Sequence, residues 1–448
     1  MSRAVEPSRT RCDDANEEET AVIRWVKPGR VGAAVLVLVL AGGIAYRTAW
    51  PGAPGHSEAD QEWAAAQQSL NIFEFTEASR HLKNCVGAWP LNAETHFQLA
   101  RTSRRAGNAG AWESHLRAAG ILQWPQEDLL LETMLMRAQS EKGAEIAPRL
   151  MALVESGRAD ESLVLEALIK GDLAGKRHED LFARAYLWSQ HVPGDPRPWF
   201  YRGEAHNQLH SVKEAIADYG RALELQPLFA DARARLAQTL AHEGRHTEAA
   251  EQYRVLLQSQ PSRLDGWYGL ASCQMALGEL EPARIALDEL LARQSDHAAG
   301  LLLRTKLAKA EGAPEQAIDW LKRADQASPK SPDVADCYFE VYRQLGKTDE
   351  ARRSEQQAQD LRRDAARLEE IKKKLGAEPK NVALLYDAGM LCVQLARDDE
   401  AFRWLDEAVH LKADHREAHR ALAELFEKHG NTERATYHRE KSGASEFK

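Results

Sequence analysis

The chain has 448 residues, of which 44% are hydrophobic and 28% charged, and a formal net charge of −9. That length means several domains or one long repeat array, and so mild an acidity argues against nucleic acid as a partner. The five cysteines, Cys12, Cys85, Cys273, Cys337 and Cys392, stand far apart without a C-x-x-C pair, so no zinc or redox motif is visible and they are expected to pack as small hydrophobes.

Residues 1 to 30 read as a polar, disordered tail that carries the acidic run Glu17, Glu18 and Glu19 and ends in Arg24, Lys27 and Arg30 beside Trp25. The next sixteen residues, 31 to 46, VGAAVLVLVLAGGIAY, hold no charge. As a helix they cover about 24 Å, short of a hydrocarbon core of roughly 30 Å. Snorkelling of Arg47 and interfacial placement of Trp25 and Trp50 extend that reach, and Pro51 and Gly52 then end the helix. A single transmembrane helix over 31 to 50 is expected. A cleaved signal peptide or a buried core helix are the alternatives; the long polar leader and the lack of a small-residue cleavage site after Tyr46 weigh against the first. Three basic residues precede the segment and only Arg47 closely follows it. The positive-inside rule then leaves the N-terminus in the cytoplasm and the rest of the chain on the outer, periplasmic side of a cytoplasmic (inner) membrane.

Residues 51 to 58, PGAPGHSE, form a Pro/Gly linker, and beyond them helical patterns alternate with brief turns to the end. The stretch from Arg197 to Pro227 recurs in steps of 34 residues: Pro227 returns as Pro261, Tyr219 as Tyr253, and Ala215 as Ala249, Ala283 and Ala317. Glycines precede the later alanines at Gly244, Gly278, Gly312 and Gly346, and Trp199 returns as Trp267. Two antiparallel helices of about twelve residues cannot bury their own apolar faces. Small residues such as Gly203, Ala215 and Ala222 therefore let neighbouring helices approach while Trp199 and Tyr219 fill the space between units.

This pattern resembles the tetratricopeptide repeat, most specifically over residues 196 to 355. Weaker copies run through Trp63, Ala66, Ala78 and Pro90; through Leu99, Ala100, Gly107 and Trp124-Pro125; and through Gly389, Ala401, Ala408, Leu422, Ala423, Phe426, Gly430 and Ala435. The resemblance implies an all-α, right-handed superhelical solenoid of antiparallel helix pairs with a concave groove. The expected organisation is degenerate repeats over 59 to 195, the main array over 196 to 365, an extended helical spacer over 366 to 381, and further units over 382 to 448. The stretch 126 to 195 is helical in pattern but falls in no repeat register. After Ala351 a run of interleaved charges breaks the period; it reads as a solvated helix of some 25 residues that spaces two sub-arrays, or else as a basic contact site.

The histidine pairs His206/His210, His242/His246 and His415/His419 have a spacing that could chelate a metal, but no H-E-x-x-H motif or cysteine accompanies them, and packing or exposure is the expected role. No nucleophile elbow, phosphate loop or dinucleotide fingerprint is present, so nothing nominates a catalytic residue, a cofactor or a small-molecule substrate. The resemblance puts function in the groove, where it carries Arg197, Phe200, Glu204, Asn207, Arg235, Gln238, Tyr268 and Lys306 onto positions that face a bound peptide or helix. The Lys/Asn set with which chaperone-binding members clamp a terminal carboxylate is missing from the aligned units. The expected function is a membrane-anchored, non-catalytic scaffold for other proteins; the alternative is an accessory subunit of an envelope enzyme or of an assembly or export system.

Overall fold

Alternation of two helices and a tight turn repeats along the whole of the computed structural model, which describes residues 56–443. Every element among them is helical. The chain divides into two compact units at Gly194 and Asp195. In the first, α1 (His56–Asn71) pairs with α2 (Phe75–Ala88), and α3 (Ala93–Arg105) with α4 (Ala109–Ile121). Then α5 (Gln126–Ala138) meets a 3-10 turn (Gly143–Ile146) running into the short α6 (Ala147–Glu155), and α7 (Glu161–Ala174) pairs with α8 (His178–His191).

The second unit repeats the hairpin seven times: α9 (Arg197–Gln208) with α10 (Val212–Leu225), α11 (Ala230–His242) with α12 (His246–Ser259), and α13 (Leu264–Ala276) with α14 (Leu280–Arg293). Next come α15 (Ala298–Ala310) with α16 (Pro314–Ala327), and α17 (Pro332–Gln344) with α18 (Thr348–Ala377). Last are α19 (Val382–Gln394) with α20 (Asp398–Leu411), and α21 (Arg416–Lys428) with α22 (Thr432–Lys441). The first helices α11, α13, α15 and α17 also touch one another in turn, and so form a continuous inner row.

The turns follow from the residues at them. Gly244, Gly278, Gly312 and Gly346 adopt φ of 71° to 77°, a left-handed conformation that ends the first helix of a pair without a Cβ clash. Where the period brings His210 or Ala396 to that point, the same conformation persists at φ 56° and 54°. Asn92, Asn108, Asp160, Asn381 and Asn431 cap the following helices by accepting a backbone N–H.

Inside the pairs, small residues sit under large ones. A Cβ on Gly203 would stand 2.6 Å from the Tyr219 ring, and one on Gly389 would stand 2.6 Å from Leu405. Tyr219, Ala215, Ala249, Ala283 and Ala317 are fully buried. The four cysteines among the described residues are free and buried, as packing residues should be.

The first unit explains why its register escapes the sequence. The eighth residue of the helix is the buried Ala100 in α3, but an exposed Thr133 in α5 and a buried leucine, Leu168, in α7. The close approaches here lie outside the 34-residue pattern: Gly143, in the turn after α5, and Gly171 of α7 both press on the Ala138 carbonyl so closely that neither could carry a Cβ. Ion pairs then fill the interior. Glu132, wholly buried, accepts from Arg101 Nε at 2.7 Å and Arg104 Nε at 2.8 Å. Buried Glu166 holds Arg105 at 2.7 Å and Lys170 at 3.6 Å, and buried Asp172 holds Arg177 and Arg184. Burial alone would raise the Glu132 carboxyl; Arg104 and Arg101 outweigh it and hold the group below the usual range.

Two sequence expectations change. The long helix α18 has 30 residues and is not solvated all round, because Ala351, Ala358, Leu361, Leu368, Ile371 and Leu375 form a buried stripe beneath the interleaved charges. Its first part pairs with α17 and its last part packs on α19. The linker expected over 51 to 58 gives way to α1 from His56 onward. Among the described residues no helix is long and apolar enough to cross a membrane; the tail over 1 to 30 and the helix expected over 31 to 50 lie outside them.

Candidate functional site: a groove on the inner helices of the second unit

Helix α11 shows why a groove forms. Asp231, Ala234, Arg235, Gln238, Ala241 and His242 recur at spacings of three and four, which lays them along one helix face. Thirty-four residues on, Asp265, Tyr268, Gly269 and Ser272 occupy the matching face of α13. These residues, with Phe200 of α9, Tyr253 of α12 and Arg263 of the turn before α13, line a groove of about 600 Å³. Its floor is low because Ala234, Ala241 and Gly269 are small, and Gly269 lets the Tyr253 ring lie directly against α13.

The walls are aromatic and charged. Phe200 is fixed by Phe229, Tyr201 and Tyr219, with ring centroids 5.1, 5.2 and 6.1 Å away. Tyr268, half-buried, packs on the core and lies 6.1 Å from the His297 ring. At one end Arg263 bridges α11 and α13, with Nη1 on Asp231 at 2.8 Å and Nη2 on Asp265 at 2.7 Å. Burial would raise Asp265, yet the hydrogen bonds and charge of Arg263 hold it below its ordinary range, so both members stay ionised near neutrality. On the α9 side the Tyr219 hydroxyl donates to Glu204 at 2.6 Å, and Glu204 pairs with Arg235 at 3.2 Å. Arg235 also donates to Gln238 at 3.2 Å. Burial and then the Glu204 carboxylate push the Tyr219 phenol far above its usual range, so it remains a donor.

Of the eight residues singled out from sequence, Phe200, Arg235, Gln238 and Tyr268 come together as groove lining. Glu204 stands behind them as the partner of Arg235. Arg197 is buried and held by Asp195 two residues earlier, at 2.6 Å. Asn207, half-buried on α9, and Lys306, exposed on α15, are not among the lining residues. The 34-residue step could have supplied Ala234, Asp265 and Ser272 from their counterparts; Arg263, in a turn, carried no periodic signal.

Such a groove offers apolar walls to side chains, Gln238 and Ser272 to a peptide backbone, and Arg235 to an anionic group. A second cavity of about 740 Å³ beside α18 is lined mainly by charged and amide residues, including Lys330, Arg353, Gln356, Asp360 and Gln394, and has no aromatic wall. Among the described residues no group of three or more His, Cys, Asp or Glu could hold a metal ion. His415 instead caps α21, accepting from the Ala418 N–H at 3.2 Å, and His206 lies 3.6 Å from Asp218.

Two family models described as tetratricopeptide repeat match the chain, over residues 202–264 and 240–307. No curated protein matches it. Solved structures with similar helical arrangements include PilW, a widely conserved type IV pilus biogenesis factor, at 17% identity over 45% of this chain and 94% of that one, with a TM-score of 0.41. Yeast Tom70 is 14% identical over 88% of this chain and 93% of its own, with a TM-score of 0.35. YrrB, a repeat protein with an unusual peptide-binding site, is 14% identical over 52% and 95%, with a TM-score of 0.30. The two family models together support the tetratricopeptide-repeat family over residues 202–307, the stretch that carries nearly all of the groove.

Proposed function

We propose that the chain is a protein-binding scaffold that acts by binding rather than catalysis, and that it holds an extended or helical segment of a partner in the groove of α9, α11 and α13. The observation that carries this is the convergence of Phe200, Tyr268, Arg235 and Gln238 on one concavity with a floor of Ala234, Ala241 and Gly269. Aromatic and arginine side chains contribute most anchoring energy at interfaces. We further propose that residues 31 to 50 tether the scaffold to a membrane with the N-terminus in the cytoplasm, supported by the uncharged run over 31 to 46 and the placement of Arg24, Lys27 and Arg30.

A photo-crosslinking residue at Ser272 should capture a partner in cells, whereas one at Arg221, on the outer helix α10, should not. Tyr268→Ala with Arg235→Ala should then weaken the captured partner by at least about 2 kcal/mol, roughly thirtyfold. Because Tyr268 also packs on the core, melting of the double variant is the control. Capture from Arg221 alone would move the binding face to the outer helices. For the tether, a periplasm-dependent reporter fused after Lys448 should be active; activity only of a cytoplasmic reporter would reverse the orientation.

A further inference from the structure

In several helix pairs the fourth residue of the first helix makes the same bond. Trp267 Nε1 donates to the Pro261 carbonyl at 2.8 Å, and Arg233 Nη2 donates to the Pro227 carbonyl at 2.8 Å. Arg233 reaches across the pair as well, donating through Nη1 to Gln252 on the second helix at 2.7 Å. Where a nitrogen-bearing side chain fills the slot, it can aim an N–H at a carbonyl six residues earlier and, as Arg233 does, clasp the second helix at the same time.

Histidine fills this slot twice, once in each unit. His96 Nε2 lies 3.1 Å from the Pro90 carbonyl, and His419 Nε2 lies 3.1 Å from the Ala413 carbonyl. A carbonyl only accepts, so each Nε2 carries the hydrogen and each neutral ring leaves Nδ1 bare. Those bare atoms face a second histidine nineteen residues on: His115 Nδ1 at 3.0 Å from His96, and His438 Nδ1 at 2.8 Å from His419. His115 and His438 must therefore donate, and all four tautomers are fixed.

We propose that His96–His115 and His419–His438 are acid-released clasps, which bond α4 to α3 and α22 to α21 at neutral pH and open when both rings of a pair are protonated. The first proton can enter on Nε2 of His115 or His438 and leaves the bond in place. The second would put two N–H groups and two positive charges head to head at bonding distance, and the rings must part. The surroundings resist charging. Burial, then His96 and Lys83 of α2, lower the affinity of His115 for a proton; burial, then His419 and Arg434, do so for His438 against the opposing charge of Asp406 on α20. The sign follows. With folded-state proton affinity lowered, the unfolded chain binds more protons, so the contribution is fully present above the unfolded histidine value of about 6.5 and is lost as pH falls below it.

The test is amide hydrogen exchange on the full chain at pH 7.5 and 5.5, corrected for intrinsic rates. Protection in α4 and α22 should fall at least about tenfold on acidification and return on neutralisation, while α14, which has no histidine and packs behind Trp267, keeps its protection. His419→Arg with His438→Gln rebuilds the Arg233–Gln252 clasp in the last described pair. In that variant α22 should become insensitive to acid while α4 still responds. Equal acid loss in α14, or undiminished acid loss in α22 of the variant, would overturn the proposal. Should the variant fail to fold, nitrogen NMR of the parent decides at pH 7.5: bare Nδ1 on His96 and His419 supports the clasp, and protonated Nδ1 there refutes it.

Discussion

Gly203→Ala sets two effects of known size against each other. An alanine inside a helix is favoured over glycine by about 0.5–1 kcal/mol, because it restricts the unfolded chain. The new Cβ would, however, stand 2.6, 2.8 and 3.1 Å from three atoms of the Tyr219 ring, which is fully buried and whose hydroxyl is bonded to Glu204 at 2.6 Å. The ring must shift by the better part of an ångström, and overpacking of this kind costs about 1–3 kcal/mol. A net loss of about 0–2.5 kcal/mol, centred near 1, follows. Gly220, in the same pair, has nothing within 4 Å of a would-be Cβ, so Gly220→Ala should gain about 0.5–1 kcal/mol. Urea unfolding of the full chain followed by circular dichroism, with exchange protection of α9 and α10 as the local readout, compares the two directly. In a Tyr219→Leu background the penalty of Gly203→Ala should shrink. Equal stabilisation by both alanines would refute the close-packing account of the glycine.

Other consequences are as direct. Glu132→Gln keeps the shape but leaves Arg101 and Arg104 without a counter-charge in a buried site, so the first unit should lose about 3–5 kcal/mol, read as a selective fall in exchange protection of α3 and α5. Because the Glu132 carboxyl is held below its usual range, that contribution is present above the unfolded value of about 4.3 and is lost as pH falls through the folded one; acid unfolding of the parent should show this step and the variant should not. Ala396→Gly should stabilise the α19–α20 pair by about 1 kcal/mol, since Ala396 holds φ 54° where glycine does so at Gly244, Gly278 and Gly312; an unchanged or lower melting temperature would contradict it.

The repeat was legible between Arg197 and Gly346 because its small residues and turn glycines fall at the positions that the packing needs. It was illegible over 126 to 195, where the close approaches are those of Gly143 and Gly171 to the Ala138 carbonyl and where α6 is cut to nine residues. The charges that buttress this part read as surface in the sequence, since nothing in one dimension tells that Glu132 and Glu166 meet arginines from α3. In the groove, the family resemblance had carried Phe200, Arg235, Gln238 and Tyr268 onto facing positions, and all four line the concavity. It carried Arg197 to a facing position without foreseeing that Asp195 would bind it, a local contact that a 34-residue comparison does not weigh.

The length of α18 sets a rule for anything that would use both ends of the second unit. With 30 residues against 14 in α16, it runs about 24 Å further than an ordinary second helix. Its first portion pairs with α17, while Leu361, Leu368, Ile371 and Leu375 further along share a core with α19, α20 and α21. A partner that engaged units on both sides of α18 would therefore read two sub-arrays rather than one uninterrupted repeat.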